Sequence, residues 1–273
     1  MIRLSNGYET PQIGVGTWTL KGDMAVNNVR MALEAGFRHI DTAQMYENES
    51  EVGQGIIESG VPREDIFLTT KVNTDNMRVG ADAVRNSIEE SLKRLKVDYI
   101  DLLLIHWPVK GCIKHTWQVM EEFVRSGKVR SIGVSNFNPD HIDELLSYAE
   151  IRPVVNQIEL HPFMSQEDNI AYDSQYGIQV IGWAPFGQGD IDVPGHPLLK
   201  EIAAKYGKTS SQIVLRWIVQ RGLITIPRAK PNHFAENLDV LNFTLADEDM
   251  KLISGLNENR RSSEMNNPES FPW

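Results

Sequence analysis

Four polar or ionisable side chains stand at the ends of strand-like runs in this sequence and have the chemistry of a proton-transfer site. Asp41 ends a short β-branched and aromatic run, and Tyr46 follows five positions later. Lys71 and His106 end two further apolar runs. Loops held at the ends of rigid strands are where catalytic side chains tend to lie. Each residue alone also fits a turn, surface or core role, so the prediction depends on whether the fold brings all four together.

Together, these side chains would make a general acid directed at an oxygen that gains negative charge. A phenol has a pKa near 10, so it donates a proton poorly at neutral pH unless a neighbour stabilises the phenolate. A lysine ammonium about 4 Å away contributes about 4 kcal/mol at an effective dielectric constant of about 20, although desolvation favours the neutral phenol. Asp41 would keep Lys71 charged, and a neutral His106 would direct a hydrogen bond at the oxygen. Carbonyl reduction by hydride fits this set.

Other chemistries fit less well. The sequence has no Gly-x-Ser-x-Gly nucleophile elbow and no His-Glu-x-x-His zinc motif, so we expect neither a serine hydrolase nor a metal site. The pairs Gly14/Gly16 and Gly53/Gly55 lack the third glycine of the dinucleotide fingerprint, which argues against a Rossmann domain. The basic segment 226–233 follows the last strand, where a phosphate can be bound near a helix N-terminus. A solvated surface loop is the alternative for this segment.

Strand-like and helix-like segments alternate along the chain, which predicts an α/β fold. Eight runs have the character of strands: residues 13–18, 37–41, 66–71, 99–106, 129–135, 154–159, 178–183 and 223–226. Because these runs are almost continuously apolar, both faces of the sheet should be covered, as in a closed (β/α)8 TIM barrel. We expect one barrel domain over residues 1–273, with an N-terminal β-hairpin around Asn6-Gly7 and an extra C-terminal helix. The active site of such a barrel lies at the C-terminal ends of the strands.

Local signals refine the element boundaries. Asn48 with Glu51, and Thr209 with Gln212, have the spacing of capping boxes at helix starts. Segment 184–208 is longer than one connection requires and predicts a partly ordered, projecting loop. The tail from Leu256, rich in Asn, Ser, Arg and Pro, predicts surface coil.

Composition excludes several classes of partner. The formal net charge of −10 argues against a sequence-independent nucleic-acid binder, because such binding depends on basic surface. No apolar run approaches the 18 or so residues of a membrane span, and the first residues lack a signal-peptide core, so we expect a cytoplasmic protein without a membrane partner. Cys112 is the only cysteine, which excludes an intrachain disulfide and a thiolate zinc cage.

Once these residues are assembled, the chain resembles the aldo-keto reductases over nearly its whole length. Residues 36–43, followed by Glu49, Val52 and Gly53, are similar to that family's first signature. Residues 103–108, 132–137 and 156–159 resemble three more of its motifs. Residues 182–189 most resemble the bacterial branch that contains the 2,5-diketo-D-gluconate reductases, in which a tryptophan is common where other branches have a tyrosine.

This resemblance implies a role for each matching position. Tyr46 would be the proton donor, and Asp41, Lys71 and His106 would complete a catalytic tetrad. Ser135, Asn136 and Gln157 would hold the nicotinamide carboxamide, with Trp183 stacked on its ring. The other positions implied in cofactor binding are Gly16, Thr17, Asp41, Pro185, Phe186, Gly187 and Gln188, then Arg228, Ala229 and His233 at the adenosine phosphate, and Glu236 and Asn237 at the adenine. Trp18, Asn73, Trp107 and Phe137 would line the substrate pocket.

The phosphate loop departs from the family pattern. Arg228-Ala229 stands where a Lys-Ser pair is usual, His233 replaces a later arginine, and the loop is one residue short. Loss of a hydroxyl and of a permanent charge should weaken the hold on a 2′-phosphate, so we expect NADPH to be preferred but NADH to be tolerated unusually well. Asn73, where a bulky aromatic residue is common, together with a short loop after His106 and a short tail, predicts an open, polar substrate pocket.

The resemblance therefore implies an NAD(P)H-dependent reductase of aldehydes and ketones. Its substrates would be small carbonyl compounds of the 2,5-diketo-D-gluconate or α-oxoaldehyde type, such as methylglyoxal, and we expect a monomer. The alternative is a cofactor-sensing regulatory subunit with little turnover. The complete tetrad and the absence of an extra interaction domain from the sequence favour the enzyme.

Overall fold

A ring of eight parallel strands forms the centre of the protein in a computed structural model, which describes residues 1–270. The strands are hydrogen-bonded in chain order, and a parallel bridge between Ile13 and Thr225 joins the first to the last. The predicted (β/α)8 TIM barrel is therefore confirmed. The barrel strands are β3 Val15–Gly16, β4 His39–Asp41, β5 Phe67–Val72, β6 Ile100–Ile105, β7 Val129–Ser135, β8 Val155–Glu159, β9 Gln179–Trp183 and β10 Ile224–Thr225.

Helices surround this ring and supply the outer layer that the apolar strands require. They are α1 Gly22–Glu34, α2 Glu49–Ser59, α3 Thr74–Val79, α4 Ala81–Leu95, α5 Ile113–Arg125, α6 Pro139–Leu146, α7 Glu167–Gln175, α8 Pro197–Tyr206, α9 Ser210–Gln220, α10 Phe234–Leu238 and α11 Asp247–Ser254. Gly53 shows how closely neighbouring helices of this layer pack, because a Cβ there would lie 2.4 Å from the carbonyl oxygen of Leu95 at the end of α4. The last helix, α11, is the extra C-terminal helix expected from the sequence.

The predicted N-terminal hairpin closes one end of the barrel. Its strands, β1 Ile2–Arg3 and β2 Glu9–Thr10, pair in antiparallel register, and Gly7 adopts a φ of 93° in the turn. The hairpin carries Leu4 into the interior cluster, where it is buried together with Leu102, Leu104, Ile181 and Ile224. This end is thereby filled with apolar side chains, and the opposite end of the ring stays available for a site.

Two boundary predictions were only partly right. The first and last barrel strands are two residues long, shorter than the predicted 13–18 and 223–226. Their pairing continues instead as separate backbone bonds, from the Gly14 amide to the Thr225 carbonyl at 2.9 Å and from the Gly16 amide to the Pro227 carbonyl at 3.1 Å. The predicted capping box at Thr209 and Gln212 is present, with both side chains bonded to backbone amides.

The capping box predicted at Asn48 is wrong, although α2 does begin at Glu49. The Asn48 side chain makes no capping hydrogen bond to the helix. Its amide nitrogen donates to the Thr17 and Leu20 carbonyls at 2.9 and 3.0 Å, and its oxygen accepts from the Thr42 hydroxyl at 2.8 Å. Asn48 therefore ties together the loops that follow β3 and β4.

The two irregular stretches are also more ordered than expected. Helix α8 occupies part of segment 184–208, and the loop before it buries Ile191 and Val193. The tail after α11 bonds back to the barrel, since the Glu258 and Arg260 amides both donate to the Phe163 carbonyl at 3.1 and 3.0 Å. Neither stretch is simply surface coil. Over residues 1–270, no helix has both the length and the apolar character needed to cross a bilayer.

His39 is a fully buried histidine in β4 whose protonation depends on folding. Its Nε2 lies 3.1 Å from the Thr69 hydroxyl, and its ring packs on Gly14, where a Cβ would lie 2.8 Å from the imidazole. Burial, reinforced by the positive charge of Lys71, lowers the pKa of His39 to about 3. Below pH 6.5 the unfolded chain takes up a proton at this site but the folded protein does not, so the contribution of His39 to stability falls as the pH falls from 6.5 toward 3.

We therefore expect His39→Gln to flatten the acid side of the stability profile. Glutamine can keep a hydrogen bond to Thr69 but does not titrate. As the pH falls below 6.5, the difference in the free energy of unfolding, variant minus wild type, should increase by about 1.4 kcal/mol per pH unit. Urea unfolding at pH 7.5, 6, 5 and 4.5 measures this slope, and every other titrating group is common to the two proteins. A difference that stays constant with pH would contradict a neutral buried histidine.

Candidate active site

A cavity of about 440 Å³ opens at the C-terminal ends of the strands, opposite the hairpin. It brings together most of the residues singled out in the sequence. Those that line it are Gly16, Trp18, Asp41, Tyr46, His106, Trp107, Ser135, Asn136, Gln157, Trp183, Pro185, Phe186, Gln188 and Arg228.

Asp41, which lines the cavity, belongs to a buried ion pair. Lys71, on β5, places its Nζ 2.5 Å from Asp41 Oδ1 and donates to the Thr42 carbonyl at 2.9 Å. The other oxygen of Asp41 accepts from the Gln157 amide at 2.7 Å. Burial works to lower the pKa of Lys71, but the neighbouring Asp41 and Tyr46 outweigh it and raise that pKa above its usual value. Lys71 is therefore a charged ammonium, as the sequence analysis predicted from its pairing with Asp41.

Tyr46 projects from a short 3-10 turn, Gln44–Tyr46, directly after β4. Its ring lies 5.1 Å from Lys71 Nζ and meets the His106 ring edge-on at a centroid distance of 5.6 Å. Burial raises the pKa of the Tyr46 hydroxyl, and Asp41 adds to that rise, while Lys71 opposes both. The effect of Lys71 has the direction predicted from the sequence, but burial outweighs it and the net shift of the pKa is upward. Tyr46 is a neutral phenol at physiological pH and so still carries its proton.

His106 follows β6 immediately and is almost fully buried in the cavity wall. Burial, with the positive charge of Lys71 as a second cause, holds the pKa of His106 well below its usual range. The imidazole is thus neutral at physiological pH, as the sequence argument assumed. A neutral imidazole has one N–H and can act as a hydrogen-bond donor without being an acid.

Amides and an indole form the next part of the wall. Asn136 has a φ of 63°; its side-chain nitrogen donates to the His106 carbonyl at 3.0 Å, and its oxygen accepts from the Trp183 indole at 3.0 Å. The Ser135 hydroxyl and the Asn136 backbone amide both donate to the Gln157 carbonyl, at 2.8 and 2.9 Å. These contacts fix a flat indole face beside several amide groups, a surface suited to a planar ring bearing a carboxamide.

The other end of the cavity is basic. Arg228 lies at its edge after β10 and donates to the Thr19 hydroxyl at 2.5 Å. No carboxylate within residues 1–270 forms an ion pair with Arg228, so its charge is available to an anion. Beyond it, His233 Nδ1 lies 3.2 Å from Glu236 Oε2 on the exposed side of the loop.

Several residues singled out in the sequence do not line this cavity. Asn73 lines a neighbouring polar groove, and its side chain caps α3 by accepting the Asp75 amide, so its assignment to the substrate pocket is not supported. Phe137 is fully buried against His141, behind the wall. The remaining ones that do not line it are Lys71, which is buried and contacts the site through Asp41, Thr17, which bonds the Asp41 carbonyl, Gly187, Ala229, which is buried against α1 through Asn28, and His233, Glu236 and Asn237.

Sequence reasoning also missed part of the wall. Met45, Ala184, Met265 and Asn266 all line the cavity. Met45 could have been inferred from its place beside Tyr46, but the polar tail carries no comparable signal.

With Trp18, Trp107 and Phe186 opposite, the wall around the tetrad is largely apolar, so the expectation of a polar pocket is wrong.

Comparison with known proteins places this chain in a family. A model of the aldo/keto reductase family matches residues 12–258. The chain belongs to that family, and its fold and site define it as an oxidoreductase of the aldo-keto reductase type.

Two relatives and one solved structure are similar to this chain over nearly its whole length. The chain is 43% identical to the glyoxal reductase of Bacillus subtilis over 262 residues, covering 95% of this chain and 94% of that protein. It is 40% identical to the methylglyoxal reductase DkgA of Escherichia coli K12 over 266 residues, covering 96% and 94%. The solved structure of Bombyx mori aldo-keto reductase AKR2E4 in complex with NADP superposes with a TM-score of 0.89 at 39% identity, covering 99% of this chain and 97% of that one.

Proposed function

We propose that this protein reduces aldehydes and ketones to alcohols with NADPH, using Tyr46 as the proton donor. The observation that carries the proposal is one cavity in which Tyr46 and His106 lie at one end and Arg228, which has no ion-pair partner within residues 1–270, lies at the other, with Trp183 and the amides between them. A bound nicotinamide dinucleotide would supply the hydride. The glyoxal and methylglyoxal reductases among its relatives support a small carbonyl compound as the substrate.

Each part of the cavity has a role in this proposal. Trp183 would face the nicotinamide ring, and Ser135, Asn136 and Gln157 would hold its carboxamide. Arg228 would meet the adenosine phosphate, and Ala229, His233, Glu236 and Asn237, which follow it in the chain outside the cavity, would be the further candidates for that end of the cofactor. The charge of Arg228 and the planar indole face of Trp183 support a cofactor with both a phosphate and a flat ring.

The proton would come from Tyr46, which lies beside the buried ion pair. His106 would donate a hydrogen bond to the carbonyl oxygen and hold it near the Tyr46 hydroxyl. As negative charge develops on that oxygen, Tyr46 would transfer its proton, and the nearby Lys71 ammonium would stabilise the phenolate that remains. Asp41 would keep Lys71 charged throughout. Trp18, Trp107 and Met45 would exclude water from the reacting centre.

A spectrophotometric screen tests this function directly. We expect oxidation of NADPH with glyoxal, methylglyoxal, 2,5-diketo-D-gluconate and aromatic aldehydes as substrates, with saturation in both cofactor and carbonyl compound. Tight binding of NADPH without turnover across the whole panel would contradict the enzyme and favour a cofactor sensor.

The altered phosphate loop leads to a prediction about cofactor choice. We expect the wild type to use NADH better than relatives with the complete loop do. His233→Arg would add a permanent charge that can pair with the 2′-phosphate, and one such exposed contact is worth about tenfold in affinity. The ratio of kcat/KM for NADPH to that for NADH should rise about tenfold, mainly through a lower KM for NADPH.

A neighbouring substitution controls for charge alone. Asn232→Arg adds the same charge one residue earlier in the loop and should change the ratio less than His233→Arg does. An equal effect of the two variants would mean that net charge, and not a contact made from position 233, sets the preference.

A further inference from the structure

Glu159 is a buried carboxylate at the end of β8 for which the proposed reaction has no use. Its side chain is fully buried, and its Oε1 accepts the Ser262 backbone amide at 2.6 Å and lies 3.1 Å from His161 Nε2. Arg261 approaches the other oxygen at 3.9 Å. A buried carboxylate is tolerated only where charges and hydrogen-bond donors compensate it. Two of the groups that compensate Glu159 belong to the C-terminal segment.

The segment held in this way goes on to form part of the cavity wall. A 3-10 turn, Glu264–Asn266, follows Ser262 and brings Met265 and Asn266 to the cavity. The Asn266 side chain donates to the Ser262 hydroxyl at 3.0 Å and to Gln188 at 3.4 Å. The position of this wall therefore depends on where Ser262 is fixed.

The same strand also serves the tetrad. Alternate residues of a strand point to the same face, so Gln157 and Glu159 share one face of β8. Gln157 bonds Asp41 in the cavity, and Glu159 bonds the tail one step nearer the mouth. One rigid strand thus sets the distance between the reacting centre and the wall made by the tail.

We propose that Glu159 is a positioning residue that fixes residues 261–266 as a wall of the substrate pocket and so selects among carbonyl compounds by size. Its kinetic consequence rests on the proposed reductase function, but its effect on the tail does not. Without the carboxylate, the Ser262 amide loses its acceptor and Arg261 loses its partner, so the wall is no longer held in one place. Large substrates that reach Met265 and Asn266 then lose more binding than small ones that contact only the tetrad.

Amide hydrogen exchange tests the anchor without any reference to activity. In Glu159→Ala, peptides covering residues 258–266 should exchange about 10- to 100-fold faster, as expected for loss of one hydrogen bond to a charged group. Exchange in β8 and β5 should change little. Glu258→Ala is the matched control, because it removes an exposed carboxylate from the same segment. Unchanged exchange in Glu159→Ala, or an equal increase in the control, would overturn the proposal.

Kinetics test the selectivity. The ratio of kcat/KM for a bulky aromatic aldehyde to that for methylglyoxal should fall about tenfold in Glu159→Ala, with the NADPH dissociation constant unchanged. Glu159→Gln keeps an acceptor for the Ser262 amide and should retain most of the ratio. If Glu159 acts through the tail, Met265→Ala should reproduce the loss and the double variant should add nothing. Additive losses, or equal losses for both substrates, would contradict a positioning role.

A second substitution covers the case in which Glu159→Ala does not fold. Arg261→Ala leaves the carboxylate in place and should shift exchange and selectivity in the same direction by a smaller factor. Arg260→Ala, one residue earlier and largely exposed, should change neither. If the wild type reduces no carbonyl compound at all, the reductase proposal fails, and the exchange experiment still decides whether Glu159 anchors the tail.

Discussion

Tyr46→Phe should reduce kcat/KM for carbonyl reduction by about 10²- to 10⁴-fold, the usual contribution of a positioned general acid. The change removes one oxygen atom and keeps the ring that packs edge-on against His106. Because Tyr46 is a neutral phenol in the folded protein, it holds the proton that the product alcohol needs. Steady-state oxidation of NADPH measures the loss, and fluorescence titration should show cofactor binding close to that of the wild type.

Tyr172→Phe provides the control, because it removes a phenolic hydroxyl from a partly exposed helix position, outside the cavity, where the partner is Asp143. That variant should keep wild-type turnover. Turnover of Tyr46→Phe within a few fold of the wild type would rule out Tyr46 as the donor and point to water or His106 as the proton source.

Lys71→Met should cost both activity and stability. The Lys71 ammonium and the Asp41 carboxylate are both fully buried, so removal of one leaves the other without a partner. Breaking a buried pair in this way typically destabilises a protein by about 3–5 kcal/mol. We expect a fall of that order in the free energy of unfolding, measured in urea, together with a loss of turnover similar to that of Tyr46→Phe, because no charge remains to stabilise the phenolate.

The double variant Lys71→Met/Asp41→Asn separates the two effects. An amide at position 41 no longer leaves a buried charge unpaired, so much of the stability should return while activity stays lost. Lys93→Met, which removes an exposed lysine paired with Glu90, should leave both properties nearly unchanged. Recovery of activity in the double variant would mean that Lys71 serves folding and not proton transfer.

The sequence predicted the barrel and the centre of the site well, for a physical reason. Strands covered on both faces must be almost wholly apolar, so the polar residues that end them, such as Asp41, Lys71 and His106, stand out by contrast. Parallel strands place those ends at one rim. That rule alone brings these three residues together, whereas Tyr46 reaches them through the 3-10 turn that follows β4.

The sequence-based predictions that were wrong concern side chains with more than one possible partner. Asn48 and Asn73 are both small amides near helix starts, yet Asn48 bonds neighbouring loops and Asn73 caps α3. Tertiary contacts decide between these uses, and local spacing does not report them. The tail was misjudged for a similar reason, since its backbone bonds to residues about 100 positions earlier in the chain, Glu159 and Phe163. The pKa of Tyr46 depends on the depth of burial, which residue identities do not give.

The first and last strands of the ring, β3 and β10, meet in a short seam, and this seam links the stability of the fold to ligand binding. β3 and β10 contribute two residues each, whereas β5, β6 and β7 contribute six or seven, so the ring should open first at the seam. Gly16 and Arg228 lie on its two sides and both line the cavity. A ligand that contacts both residues would hold the two strands together. At about 100 times its dissociation constant, such a ligand would add about 2.7 kcal/mol to the free energy of unfolding. Without such a ligand, the barrel would open more often at the seam and would be more susceptible to proteases.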